Sequence, residues 1–126
     1  MKNIAIFASG NGTNAQAIID HLALQAYARV AVIVVNKSDA YVIQRAKQHH
    51  IPVELISRAT EPAFLLKLLA HYSTDFIVLA GYLALIPRKI VAAYPKKIIN
   101  LHPALLPKFG GRGMFGEHVH AAVLSS

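Results

Sequence analysis

Asn100 and His102 stand two positions apart in the stretch "NLHPALLP", residues 100–107, which then runs into two prolines and three small or branched aliphatic residues. Side chains of a strand alternate between faces, so a strand continued through 102 aims the Asn and the His the same way and Leu101 the other. Pro103 confines His102 to extended or polyproline geometry and stiffens the backbone behind the pair. An Asn amide can donate to a developing oxyanion, and an imidazole of near-neutral pKa can deliver or accept a proton beside it. Together they suit acyl transfer. On spacing alone, an Asn and a His at a strand end are more often a turn and a satisfied polar pair.

The second chemical feature is "ASGNGTNA", residues 8–15. Gly10 and Gly12 allow a sharp turn that exposes successive N–H groups, and a helix opening near Thr13 points its positive end at the same place. Such a loop suits an anion, above all a phosphate. Gly10-x-Gly12-x-x-Ala15 also satisfies the dinucleotide fingerprint in its Gly or Ala form. The run Val35-Asn36-Lys37 lacks the acidic residue that an NAD ribose requires, but Lys37 could meet a 2′-phosphate, so an NADP-binding oxidoreductase stands as the alternative. The bland reading, a tight turn and nothing more, fits the strand-loop-helix context less well. A second match, Gly111-x-Gly113-x-x-Gly116, follows a Pro-rich loop rather than a strand and reads as a loop beside a site.

Other candidates carry less. His49-His50 sits at a helix end, where cationic side chains favour the dipole. Glu117, His118 and His120 resemble a metal set, but positions two apart on a helix do not face together. No Ser occupies a nucleophile elbow, and no paired carboxylates occur. No metal is expected.

The elements that must position these residues are legible in the hydropathy. Ile4–Ala8, Val30–Val35, Val53–Ile56, Phe76–Ala80 and Ile98–Leu101 are short apolar runs bounded by turn residues, and they predict five strands. Between the first two, Ala15, Ile18, Ile19, Leu22, Ala23 and Ala26 recur at helical spacing behind Thr13 or Asn14 as cap. Asp39 can cap a second helix through Gln48. Thr60 can cap a third, with Pro62 in its first turn and Phe64, Leu65, Leu68, Leu69 and Tyr72 as its buried stripe. Pro87 opens a fourth, and 116–124 reads as a fifth. Strands alternating with helices predict a Rossmann-like, doubly wound, mainly parallel α/β sheet with its site at the carboxyl ends of the strands.

Composition sets the bounds. A chain of 126 residues, 55% hydrophobic and 15% charged, is expected to form one α/β domain over 1–126. The last helix carries Val119, Ala122, Val123 and Leu124 with nothing after it to pack on, which predicts a domain that is incomplete at its C-terminal side. There are no cysteines, so disulfides and thiolate chemistry are excluded. The net charge of +7 is scattered, without the basic runs or interleaved aromatics of a nucleic-acid binder. It suits small anionic substrates. No apolar run approaches a bilayer span, and no leader-type cleavage site is apparent, so the expected location is cytoplasmic, with no membrane partner. A homo-oligomer is left open, and a further alternative is an inactive fragment whose exposed apolar surface drives association.

"SGNGTN" at 9–14, "LAGYLALIP" at 79–87 and "IINLHPALLP" at 98–107, in that order, resemble the phosphoribosylglycinamide formyltransferase family, the folate-dependent enzymes of purine synthesis. The resemblance covers nearly all of the chain. Its sharpest element, Asn100-x-His102-Pro103 with Leu105, Leu106 and Pro107, is shared with other formyltetrahydrofolate enzymes, and the glycine loop narrows it. It implies transfer of a formyl group from 10-formyltetrahydrofolate, a co-substrate, to the amine of glycinamide ribonucleotide. Gly12, Thr13 and Asn14 then match the substrate-phosphate loop, and Leu83, Ala84, Leu85 and Ile86 the segment lining the pterin pocket through backbone groups. Asn100 matches the oxyanion-binding residue, which also borders the folate, and His102 matches the general acid. Residues 108–116 match a loop beside the substrate. Two departures stand out. The family's catalytic Asp, beyond the helix that ends this chain, has no counterpart here, so activity of the 126 residues alone is not implied. Ala84 stands where some members carry a larger or basic residue, and Arg58 is the nearest positional counterpart of the folate-contacting Arg.

Overall fold

The structure, a computed structural model, describes residues 1–101. His102, the prolines after it, the glycine cluster at 111–116 and the helix expected over 116–124 lie outside the described residues, as do Glu117, His118 and His120.

The five apolar runs form β1 (Lys2–Ala8), β2 (Ala28–Val35), β3 (Val53–Leu55), β4 (Phe76–Ala80) and β5 (Ile98–Leu101). They pair in the order β3-β2-β1-β4-β5, every pairing parallel. Connecting them are α1 (Thr13–Leu22), α2 (Val42–Gln48), α3 (Pro62–His71) and α4 (Arg88–Ala93). None of these helices is long and apolar enough to cross a membrane.

The interiors of β1, β2 and β4 are apolar on both faces because both faces are covered. Ile6, Ala8, Ile33, Val35, Val78 and Ala80 pack with Ala15 and Ile19 of α1 and with Val42 and Ala46 of α2. The alternate residues Ala5, Phe7, Val32, Val34, Ile77, Leu79 and Ile98 pack with Leu65, Leu68 and Leu69 of α3 and Ile90 of α4. The doubly wound arrangement is therefore the one expected.

Element ends depart from expectation where hydropathy carries no signal. β1 and β2 begin two residues early, because Lys2 pairs with Ala28 and Asn3 with Arg29 although Lys2 and Arg29 are exposed. Between Ile4 and Ala5 the register slips, and Ala31 is left as an extra residue on β2. α1 stops at Leu22, and Ala23 and Ala26 are exposed rather than buried. Phe64, expected in the buried stripe of α3, is 58% exposed.

The expected caps are also corrected. Gly12, Tyr41 and Glu61 occupy the cap positions of α1, α2 and α3, in place of Thr13 or Asn14, Asp39 and Thr60. Thr60 instead accepts a hydrogen bond from the Ser57 N–H at 2.9 Å, a local turn that competes with capping.

Candidate active site

Because all five strands run parallel, their C-terminal ends share one edge. β1 leads outward through β2 to β3, whereas β4 leads to β5 on the other side, so the winding direction reverses between β1 and β4. Loops leaving two such strands diverge and open a crevice between them.

The loop from β1 carries the first glycine turn. Gly12 has φ +82°, a left-handed conformation that L side chains resist, and a Cβ there would also overlap the Val42 side chain. Gly10 has open space around it and requires glycine for neither reason. Val42 N–H donates to the Gly10 carbonyl at 3.1 Å, so the start of α2 closes the turn from the side.

Arg45 on α2 closes it further. Its Nε donates to the Asn11 carbonyl at 2.8 Å and an Nη to Asn11 Oδ1 at 2.5 Å. The guanidinium also lies 5.1 Å from the centroid of the Tyr41 ring. Thr13 and Asn14 open α1, Thr13 exposed and Asn14 half-buried. A glycine cap without a side chain and a first turn without an acidic residue leave the leading N–H groups of α1 suited to an anion.

The loop from β4 carries a second turn at Gly81, also left-handed at φ +72° but with nothing near its missing Cβ. Beyond it Leu83 is 73% and Leu85 94% exposed, while Ile86 is half-buried. Tyr82 folds inward and meets Phe7 edge to face at 5.3 Å. Burial pushes its hydroxyl above the ordinary tyrosine range, so it remains a neutral O–H at physiological pH.

Leu83, Ala84 and Leu85 form one wall of a cleft of about 610 Å³, a volume suited to a small organic ligand. Asn36, Arg58 and Thr60 also line it. Arg58 thus lines the same cleft as Leu83, Ala84 and Leu85.

Asn100 is half-buried near the end of β5, opposite Leu79 of β4. It shares the face of Ile98, the α3–α4 side of the sheet, while Leu101 packs on the α1–α2 side. The alternation expected for 100 and 101 is therefore present. Three matched elements leave neighbouring strands in the order β1, β4, β5, at one edge of the sheet.

Ser9, which opens the stretch "SGNGTN", links these loops. It is 2% exposed, its hydroxyl donates to Asn36 Oδ1 at 2.6 Å, and the Leu83 N–H donates to its oxygen at 2.9 Å. One small residue thus joins the ends of β1, β2 and β4. The available signal was a polar residue wedged between the buried Ala8 and a glycine.

Residues 2–125 match the family described as Formyl transferase. The chain is 41% identical to the chloroplastic phosphoribosylglycinamide formyltransferase of Arabidopsis thaliana over 99% of its length and 46% of that protein. It is 41% identical to the Bacillus subtilis phosphoribosylglycinamide formyltransferase over 98% of this chain and 67% of that one. The crystal structure of glycinamide ribonucleotide transformylase 1 from Geobacillus kaustophilus superposes with a TM-score of 0.76 at 40% identity, covering 96% of this chain and 68% of the other. The chain thus spans less than half of its plant relative and about two thirds of its bacillus ones. With the strand order, the two loops and the match along residues 2–125 in agreement, the chain belongs to the formyl transferase family.

Proposed function

We propose that residues 1–126 are the N-terminal portion of one α/β domain that transfers a formyl group from 10-formyltetrahydrofolate to the amine of glycinamide ribonucleotide. The supporting observation is the succession of matched elements on adjacent strands: the glycine turn after β1, the Leu83–Ile86 segment after β4 and Asn100 on β5. In this reading the nucleotide phosphate sits on the N–H groups at Gly12, Thr13 and Asn14. The folate lies along Leu83, Ala84, Leu85 and Ile86 with Arg58 in the same cleft, and Asn100 stands between the two ligands.

The substrate amine attacks the formyl carbon, and the carbonyl electrons move onto oxygen. The Asn100 amide, with His102 beside it, stabilises that oxyanion, which a pre-oriented donor does without reorganisation at the moment of reaction. Collapse re-forms the carbonyl and breaks the bond to folate N10. His102 delivers a proton to N10, and the attacking amine loses one, so the protons balance.

Replacing His102 by Ala in a full-length relative carrying this segment should lower kcat by about two to four powers of ten with KM values little changed, the usual span for a lost acid–base group. Steady-state kinetics with both substrates check this, and near-normal kcat refutes the role of His102.

A further inference from the structure

We infer that Ser9 is the positioning residue that holds the folate-side loop in its ligand-binding form; the ligand named here rests on the formyl-transfer reading above. Among the described residues, Ser9 is the one polar or charged side chain in the buried class. A buried hydroxyl persists where its hydrogen bonds are made, and this one both donates, to Asn36, and accepts, from Leu83. It has no basic partner to activate it, so nucleophilic chemistry is not its role.

Tyr82 and Ile86 pack the folate-side segment against the core, and the stretch that Ser9 grips lies between them. Leu83 and Leu85 are largely exposed. Two hydrogen bonds that tie 81–86 back to the sheet involve Ser9: its N–H donates to the Gly81 carbonyl at 3.3 Å, and its hydroxyl receives the Leu83 N–H. Ser9 also directly precedes the glycine turn, whose carbonyls are gripped by Val42 and Arg45. The folate-side loop is therefore referenced to the nucleotide-side loop through one residue, whose hydroxyl supplies the side-chain link. Removing that hydroxyl leaves the Leu83 N–H unpaired, and the backbone must turn that group to solvent, carrying the pterin-facing groups out of place.

The test compares the unaltered chain with Ser9→Ala, Ser9→Gly and Ser9→Thr by amide hydrogen exchange and by calorimetric titration with a stable 10-formyl dideazafolate. In Ser9→Ala the Leu83 amide should exchange at least about tenfold faster while amides of Ile6, Ile33 and Val78 keep their protection, and analogue affinity should fall about tenfold, as expected for one unpaired buried donor. Ser9→Gly, which adds no atoms, should behave like Ser9→Ala, and Ser9→Thr, which keeps the hydroxyl, should restore most of the affinity. Inorganic phosphate, titrated as a probe of the glycine turn, should bind Ser9→Ala within about twofold of the unaltered chain. Unchanged Leu83 exchange, or faster exchange with unchanged analogue affinity, overturns the inference. If the unaltered chain does not bind the analogue, exchange at Leu83 decides whether Ser9 holds the loop, and the titrations are read in a full-length relative carrying this segment, where absence of analogue binding refutes the formyl-transfer reading instead.

Discussion

Gly12 and Gly81 are both left-handed glycines just past the C-terminal ends of neighbouring strands, yet their surroundings are opposite. The Gly12 turn is walled in by Val42, bonded at the Gly10 carbonyl and gripped at Asn11 by Arg45. The Gly81 turn stands open, and the leucines beyond it face solvent. A phosphate is held best by dipoles that cannot rotate away, which a closed turn provides. A flat heterocycle is held by walls, and those walls are exposed until a ligand covers them. One edge of the sheet therefore carries a closed turn, the proposed anion cradle, beside an open apolar lip.

The largest expected effect separates the two glycines. Gly12→Ala incurs both left-handed strain and overlap with Val42, together about 3 kcal/mol, whereas Gly81→Ala incurs the strain alone, about 1 kcal/mol. Urea unfolding of both variants checks this, and equal losses would erase the contrast between closed and open turns. Arg45→Ala should come next, at about 1 kcal/mol for the hydrogen bonds to Asn11, with phosphate binding weakened several-fold and binding of the folate analogue unchanged. Equal weakening of both ligands would show that the cradle and the lip are not separate.

The smallest effect concerns Tyr82, at the base of the lip. Its folded-state pKa lies above the usual 10.0 because burial disfavours the phenolate. The folded state then holds its proton longer than the unfolded chain, so this contribution is complete below the usual value and is lost as pH rises through it. Melting temperature should fall above about pH 10, and Tyr82→Phe should flatten part of that decline, the remainder belonging to Tyr72 and Tyr94, whose hydroxyls are also shifted upward.

The sheet was legible because a strand covered on both faces is written as an unbroken apolar run, and Val32–Val35 or Phe76–Ala80 admit few other readings. Strand ends such as Lys2 and Arg29 were not, since backbone pairing leaves no mark on exposed side chains. The glycine turn and Asn100 were legible as motifs, and the structure brings both to the same edge. Ser9 and Arg45 were not legible in their roles. Each acts on a partner remote in sequence, Leu83 and Asn11 respectively, and neither a serine beside a glycine nor an arginine on a helix announces such a partner. Caps were misplaced because Thr13, Asp39 and Thr60 have the right chemistry one or two positions from where the chain turns.

The central place of β1 has a consequence for biosynthesis. Ser9 leaves the ribosome 74 residues ahead of the amide that it will bind, and β1 must wait for Phe76–Ala80 before its second edge is paired. Parallel pairing over such a separation closes a long loop and comes late. Until then Ile4, Ala5, Ile6 and Phe7 present an apolar edge open to other chains, so crowded translation of this protein favours aggregation over folding until the fourth strand has emerged.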